Sequence, residues 1–251
     1  MPTRLENKVL LISGASGIAA ATARLAMAEG ASVIAIARDK GELEDVFLGD
    51  LTDPATARDA VRYCIDRYGR IDCLYNVAGI SARSLGDGPL HTCTDEAWQQ
   101  TIDGNAKSMF LLTRETLKVM LEQPIAANGL RGVILNMASV AATVPETRHF
   151  NTFAYAVSKG TAITMTKVAA AYYAPHRIRV NAIAPAVTRT RLTKRSQENP
   201  EILDYLQHRQ PLGGMIDADD IARASLFLLS DDSRIVTGET LVVDAGWSVS
   251  T

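Results

Sequence analysis

Residues 10–31 read LLISGASGIAAATARLAMAEGA, and this stretch decides the fold. Its apolar start predicts a buried strand, the glycines predict a tight turn, and the alanine-rich remainder predicts a helix. A glycine turn between a strand and a helix is typical of sites that hold a dinucleotide. Gly14 and Gly17 lie closer together than such a turn normally has them, and Ala19 stands where a third glycine is expected. The alternatives are a working cofactor loop, a damaged one, or a chance run of apolar residues.

The pattern of strand followed by helix repeats along the whole chain. The apolar runs are hydrophobic almost throughout, as in parallel strands covered on both faces. This alternation predicts an α/β fold with a doubly wound parallel sheet of the Rossmann type, in a single domain over residues 1–251. The predicted strands are KVLLIS, SVIAIA, IDCLYNVAG, GVILNMAS, IRVNAIAP and TLVVDAG, with VFLGDL as a weaker one, and longer helices are predicted at about 98–121, 153–174 and 218–229.

Composition excludes several classes of protein. A chain of 251 residues that is 47% hydrophobic can bury a core without disulfide or metal staples. Its formal net charge of −2 argues against a protein that binds nucleic acids or membrane surfaces, because such a protein needs a basic face. Three cysteines lack C-x-x-C spacing and four histidines form no H-x-x-x-H pair, so we expect reduced thiols and no metal site. Without a signal peptide or a membrane-spanning run in the sequence, a cytoplasmic location is expected.

Two irregular polar segments interrupt the alternation. One reads ISARSLGDGPLHTCTD, the other VTRTRLTKRSQENPEILDYLQHRQPLGG, and each follows a predicted strand. Ligands of open α/β sheets bind outside the carboxyl ends of the strands, so both segments are predicted to border a small-molecule substrate. The length of the second favours a substrate lid at about residues 186–215 over an ordinary surface loop.

Tyr155 and Lys159 lie four residues apart in the helical pattern YAVSK, on one face of the helix. A tyrosine has a pKa of about 10, and a neighbouring ammonium lowers that value towards the range of a general acid/base. Ser139 ends a predicted strand, where its hydroxyl could hold a substrate oxygen beside the Tyr155 hydroxyl. Taken singly, Tyr155 is better interpreted as a packed ring and Lys159 as a solvated amine. Ser139 taken alone is better interpreted as the residue that ends a strand.

The order and spacing of these features resemble the short-chain dehydrogenase/reductase family from near Lys8 to near Trp247. The resemblance implies an NAD(P)-dependent oxidoreductase that interconverts an alcohol and a ketone by hydride transfer, usually as a homotetramer. The motifs that carry it are SGASGIA, Asp50, NVAG at 76–79, Asn105 in DGNAKSMF, Ser139, YAVSK, RVNAIAPAVTRT and VTGETLVVDAGW.

The resemblance also implies a role for each site residue. Tyr155 is then the general acid/base, Lys159 lowers its pKa and holds the nicotinamide ribose, and Ser139 orients the substrate oxygen. Asn105 supports a water that links Lys159 to solvent as a proton relay. The implied cofactor-binding residues are Gly14, Ser16, Gly17, Ile18, Arg38, Asp50, Leu51, Asn76, Ala78, Gly79, Tyr155, Lys159, Pro185, Thr188 and Thr190.

The glycine turn departs from the family pattern of glycine, three residues, glycine, one residue, glycine. One residue is missing, most simply after Ser16, and this puts the adenosine end of the site in doubt. Gly14 and Gly17 still provide the tight turn and the close approach of backbone to a pyrophosphate. The sequence therefore predicts a shortened turn that works.

The end of the second strand indicates which dinucleotide is used. Ala37 and Arg38 stand where an NAD enzyme usually carries an acid for the ribose hydroxyls. This arrangement favours NADP(H). Asp39 and the missing turn residue both weaken that preference, so NAD(H) is possible.

Other departures are expected near the substrate. Alanines replace family glycines at Ala186 and Ala245, where a positive φ would cause local strain. The segment PETRHFN lengthens the span from Ser139 to Tyr155 and is predicted to border the substrate. Its Arg148 and His149 could meet an anionic group, although a solvated loop is the favoured interpretation.

Two other functions remain open from the sequence. A catalytically silent dinucleotide-binding sensor of the same fold is favoured by the altered turn and opposed by the intact set of Ser139, Tyr155 and Lys159. A methyltransferase on a similar sheet would not need that set.

Overall fold

The computed structural model describes residues 3–250. One parallel sheet of seven strands, in the order β3-β2-β1-β4-β5-β6-β7, forms its centre. The order reverses between β1 and β4, so the predicted doubly wound α/β fold is confirmed. The strands are β1 Val9–Ser13, β2 Ser32–Ala37, β3 Val46–Leu48, β4 Cys73–Asn76, β5 Gly132–Met137, β6 Ile178–Pro185 and β7 Thr240–Val243.

Helices cover both faces of this sheet. The side chains of β1 alternate, so Leu10 and Ile12 pack beneath α1 and α8, while Val9 and Leu11 pack towards α2 and α4. Full burial of such a side chain contributes roughly 1.5–3 kcal/mol, which explains why the strand is apolar from Val9 to Ile12. The helices are α1 Ile18–Ala28, α2 Pro54–Tyr68, α3 Asp95–Ile102, α4 Ser108–Glu122, α5 Phe153–Tyr173, α6 Lys194–Glu198, α7 Pro200–Arg209 and α8 Ala218–Leu229.

The helix predicted at 98–121 lies within a continuous helical run over residues 95–122, in which a π-helical turn at Asp103–Lys107 separates α3 from α4. The N–H of Ser108 donates to the carbonyl of Asp103, five residues back. A side chain at Gly104 would place its Cβ 2.9 Å from Ile80, so the turn lies directly against the loop after β4. Apolar periodicity alone does not reveal this extra residue in the turn, a feature often found at functional sites.

The segment 186–215 is more regular than the sequence indicates. It contains α6 and α7, and Asn199 caps α7 by accepting hydrogen bonds from the N–H groups of Glu201 and Ile202. Leu206 of α7 packs against Trp247 in a small apolar cluster. The Asn199-Pro200 pair is the start signal that the sequence analysis missed.

One of the two substituted glycine positions adopts the conformation that favours glycine. Ala245 has a φ of 52°, whereas Ala186 does not have a positive φ. Within residues 3–250, no helix is both long and apolar enough to cross a membrane.

Candidate active site

A cavity of about 700 Å³ opens at the carboxyl ends of the strands, where the strand order reverses. This is the position at which open α/β sheets bind their ligands. The sequence-predicted residues that line it are Gly14, Ser16, Ile18, Arg38, Asp50, Leu51, Ala78, Gly79, Ser139, Tyr155, Lys159, Pro185, Thr188 and Thr190.

Three sequence-predicted residues do not line this cavity. The amide nitrogen of Asn76 donates to Thr113 and Asn136 at 2.9 Å each, so its buried side chain joins β4 to its neighbours and does not face the cavity. The cofactor contact assigned to Asn76 therefore stays a prediction. Gly17 and Asn105 also lie behind the cavity wall and act on it through the contacts described below.

Tyr155 lies in the first turn of α5, and a distant carboxylate fixes that turn. Asp87 accepts hydrogen bonds from the N–H groups of Ala154 at 2.9 Å and of Tyr155 at 3.1 Å. The cap residue Thr152 contributes no side-chain hydrogen bond, so Asp87 takes over its function from outside the helix. Asp87 was missed from the sequence because it lies 67 residues before Ala154.

Burial governs the protonation of the central pair. It raises the pKa of Tyr155, and hydrogen bonding with Ser139 opposes that rise. It lowers the pKa of Lys159 to about 8. The Lys159 ammonium donates to the carbonyl of Met137 at 3.0 Å and lies 5.6 Å from the centre of the Tyr155 ring. The expectation of a lowered tyrosine pKa is not met in this structure, because burial raises the pKa of Tyr155 more than the hydrogen bond with Ser139 lowers it.

Asn105 holds the π-helical turn against this pair. Its side chain accepts a hydrogen bond from the N–H of Ile80 at 2.7 Å and donates to the Ile80 carbonyl and to Ser158. A Cβ on Gly79 would lie 3.0 Å from the Asn105 oxygen and 3.3 Å from the Lys159 nitrogen. The family-like glycine is therefore required by a close approach of three segments.

The shortened glycine turn is completed by residues from another loop. Gly17 donates its N–H to the carboxylate of Glu42 at 2.8 Å, and Glu42 also pairs with Arg24 at 3.3 Å. A Cβ on Gly41 would lie only 2.3 Å from the carbonyl oxygen of Ala15. Residues 39–42 after β2 thus close directly onto the turn, a contact that the sequence analysis missed.

Ala19 fits at the third glycine position because of the glycine that it faces. It is buried, and a Cβ on Gly14 would lie 3.2 Å from the Ala19 Cβ. Gly14 has a φ of 95° and no side chain, so the methyl group of Ala19 has room.

The charges at the outer end of the cavity come from Arg38 and Asp50. Asp50 accepts two hydrogen bonds from Thr52, and the one from the Thr52 N–H holds the pKa of Asp50 below its usual value. Asp39 accepts a hydrogen bond from the N–H of Gly41 and so belongs to its own turn. Arg38 is exposed, lines the cavity and forms no ion pair within residues 3–250.

A second cavity of about 770 Å³ adjoins the first. Ser139 and Tyr155 line both cavities, which places the two hydroxyl groups at their junction. The inserted segment borders this second cavity through Pro145, Glu146, Thr147 and Phe150 among others.

The two insertion residues singled out from the sequence do not line the second cavity. Arg148 pairs with Glu201 at 2.8 Å on the surface. The His149 ring is buried, 4.8 Å from the ring of Tyr205. No group of three or more potential metal ligands converges anywhere in the described part of the chain.

Comparisons with known proteins give the same family throughout. A family model described as enoyl-(acyl carrier protein) reductase matches residues 12–248. The chain is 35% identical to the 3-oxoacyl-[acyl-carrier-protein] reductase of Thermotoga maritima, over 97% of this chain and 98% of that protein. It is 35% identical to the D-threitol dehydrogenase of Mycolicibacterium smegmatis, over 98% and 95%. The ligand-free aldohexose dehydrogenase of Thermoplasma acidophilum superposes with a TM-score of 0.88 and 29% identity, covering 99% of this chain and 97% of that one.

Proposed function

The chain belongs to the short-chain dehydrogenase/reductase family, an oxidoreductase family that uses a nicotinamide dinucleotide, and we propose that it interconverts an alcohol and a ketone. The observation that carries the proposal is that Ser139 and Tyr155 line both cavities. Two hydroxyl groups at such a junction can contact a substrate oxygen while the reacting carbon faces the cofactor. Positioning of this kind accounts for a large share of enzymatic rate enhancement.

The first cavity fits a dinucleotide. Its volume of about 700 Å³ lies within the range of cofactor sites, and α1 begins at its wall with Ile18. Gly79 keeps the space beside Lys159 and Asn105 free of a side chain. When bound there, the nicotinamide ring supplies or accepts the hydride.

Tyr155 is proposed as the proton donor in the direction of ketone reduction. Since burial raises its pKa, the hydroxyl is protonated near neutral pH and can give its proton to the substrate oxygen. Ser139 orients that oxygen, and the Lys159 ammonium stabilises the tyrosinate that remains. Asn105 is proposed as a positioning residue, since its side chain holds Ile80 and Ser158.

The preferred cofactor is proposed to be NADP(H). Support comes from Arg38, which is free to meet a 2′-phosphate, and from Asp39, whose carboxylate already accepts from Gly41. The charge of Ala37→Asp would repel that phosphate, and we expect this variant to prefer NAD(H). Values of kcat/KM with both cofactors, before and after the substitution, measure the change.

A turnover screen of alcohols and ketones with NADP(H) and NAD(H) tests the main proposal. We expect oxidation or reduction of at least one small or medium-sized hydroxyl or carbonyl compound, and faster turnover with NADP(H). A second candidate, a silent dinucleotide sensor, is favoured by one observation, the carboxylate of Glu42 on the N–H of Gly17. Saturable binding of both cofactors without any turnover would support that candidate instead.

The assembly, the lid and the location remain proposals as well. A homotetramer is supported by exposed apolar side chains on α4 and α5, among them Phe110, Val168 and Tyr172. A lid at residues 186–215 is supported by Leu192 and Thr193, which line both cavities. Light scattering tests the tetramer, and cell fractionation tests the proposed cytoplasmic location.

A further inference from the structure

We infer that the substrate carries a carboxylate, held at the second cavity by Arg83 and Arg195. The inference rests on the proposed function in one respect, since it takes the second cavity as the substrate site. The two arginines come from separate segments, one in the loop after β4 and the other in α6. Both line the second cavity.

The two guanidinium groups converge on one neutral acceptor. Each donates an Nη2 hydrogen bond to the carbonyl oxygen of His149, Arg83 at 3.3 Å and Arg195 at 2.6 Å. Arg83 also donates to the side chain of Asn151 at 3.1 Å. A guanidinium has five N–H donors, so both groups keep unused donors for a ligand.

Neither arginine has an acidic partner. Within residues 3–250, the ion pairs include no contact of Arg83 or Arg195 with a carboxylate. Arg83 is partly buried, and its pKa is lowered first by burial, next by the charge of Arg195, while Asp87 opposes both. The two positive charges therefore repel each other at a place where Arg83 is partly buried and Arg195 is exposed.

The nearby carboxylates already have other partners. Both oxygens of Asp87 accept from backbone N–H groups at the start of α5. Glu146 accepts from the N–H groups of Arg148, His149 and Phe150. An incoming carboxylate would thus be the group that relieves the repulsion, through charge-assisted hydrogen bonds for which arginine is well suited.

The rest of the second cavity indicates what carries the carboxylate. Val140, Val144, Phe150, Phe153 and Trp247 give it apolar walls, and Ser139 and Tyr155 lie at its inner end. A ligand that fits all of these has a hydroxyl or oxo group for the hydroxyls, an apolar body and an anionic end. Oxo acids and hydroxy acids form the substrate class proposed.

The test compares acids with their neutral counterparts. Linear six-carbon oxo acids that differ in the position of the ketone, and their methyl esters, are assayed with NADPH and NADH. We expect kcat/KM to favour the best acid over its ester by about 10- to 100-fold, as for hydrogen bonds to charged groups. Arg83→Gln and Arg195→Gln should each remove much of this preference, mainly through KM.

A matched control separates charge recognition from loop anchoring. Arg148→Gln changes the arginine next to His149 in the inserted segment, which pairs with Glu201 at the surface, and it should keep the preference for acids. If Arg83 and Arg195 only anchor the loop through His149, their variants lose activity on acids and esters alike. That result, or equal turnover of acids and esters by the natural chain, would overturn the inference.

A binding measurement keeps the inference separate from the proposed function. Hexanoate and hexanamide have no oxo group, and titration calorimetry in the presence of NADP⁺ measures their affinities directly. We expect hexanoate to bind at least about 10-fold more tightly, and both arginine variants to abolish the difference. If no oxo compound is turned over but hexanoate binds in this way, the proposed activity fails and the anion site stands. Equal binding of hexanoate and hexanamide would contradict the proposed anion site, whether or not the protein turns over an oxo compound.

Discussion

At the Tyr155 end of the first cavity, the proposed catalytic side chains come from one helix and the end of a neighbouring strand, whereas at the Arg38 end a separate loop completes the glycine turn. Tyr155 and Lys159 are set by one helix, and Ser139 by the strand beside it. At the other end, Gly17 depends on Glu42, which lies 25 residues further along the chain.

The difference follows from what each end has to do. Proton transfer needs heavy atoms within hydrogen-bond distance of the substrate, so displaced reactive groups lose their function. Binding of the adenosine half of a dinucleotide needs only a complementary surface, and several backbone arrangements can provide one. A lost turn residue can therefore be compensated at the Arg38 end, while the Tyr155 end keeps its residues.

The largest expected effect is at the Tyr155 end. Tyr155→Phe keeps the ring and removes the proposed proton donor, so turnover should fall roughly 10²- to 10⁴-fold. Dinucleotide affinity, followed by fluorescence titration with NADPH, should change little. Tyr172→Phe, on an exposed part of α5, is the matched control and should keep full turnover. Near-normal turnover of Tyr155→Phe would contradict the proposed chemistry.

A large loss of stability is expected at the Arg38 end. Gly41→Ala would place a Cβ 2.3 Å from the Ala15 carbonyl at a φ of 53°, so residues 39–42 must move away from the turn. We expect the free energy of unfolding to fall by about 2–4 kcal/mol, as for other backbone clashes. Denaturant titration measures this change.

Gly69→Ala is the control for conformational strain alone. Gly69 has a φ of 74° and no atom within 4 Å of an added Cβ, so it should lose only about 1–2 kcal/mol. Equal losses in the two variants would mean that the contact between Gly41 and Ala15 does not constrain the turn.

The two ends also differ in how much of them the sequence could predict. Tyr155 and Lys159 belong to one helix, so their spacing alone puts them on one face. The caps provided by Asp87 and Glu42 come from other segments, and a sequence pattern does not give the distance between such segments. The same limit hid the meeting of Arg83 and Arg195 at the His149 carbonyl.

The contacts of Asn76 and the π-helical turn are hidden from the sequence for other reasons. Asn76 is the last residue of β4, and its side chain joins Asn136 and Thr113 in the core through contacts between separate segments. The π-helical turn depends on the approach of Gly104 to Ile80, a tertiary contact without a periodic signal. The sequence predicts the strands and the longer helices, whose apolar periodicity is regular, but not α6 and α7.

Lys159 is expected to lower the stability of the fold. Its pKa of about 8 lies below the unfolded value of 10.5, so the buried ammonium costs about 3 kcal/mol below pH 8. Lys159→Met removes that cost and a hydrogen bond to Met137 worth about 1 kcal/mol. The variant should therefore gain about 2 kcal/mol in free energy of unfolding near pH 7.

The pH dependence of this gain follows from the sign of the shift. As pH rises from 8 to 10.5, the folded natural chain releases the proton before the unfolded chain does, so its stability recovers. The advantage of Lys159→Met should shrink over that interval, vanish at about pH 9.5–10 and become a deficit of about 1 kcal/mol above that, where only the lost hydrogen bond to Met137 remains. Denaturant titrations at several pH values measure it, and a gain that does not depend on pH would contradict the burial of a charged lysine.

The smallest effect is expected from Glu42. Glu42→Gln keeps an oxygen that can accept from the Gly17 N–H, yet it removes a negative charge from behind the cavity wall at the proposed phosphate site. NADPH should bind a few-fold more tightly, and NADH should gain less because it lacks the 2′-phosphate. The gain stays small because Glu42 is partly exposed and paired with Arg24, and it should decrease as salt is added. Glu44→Gln, two residues away and exposed, is the control for net charge. Weaker binding of both cofactors by Glu42→Gln alone would mean that the carboxylate supports the turn rather than opposing the phosphates, and the Arg38 end would then depend on Glu42 as closely as the Tyr155 end depends on Asp87.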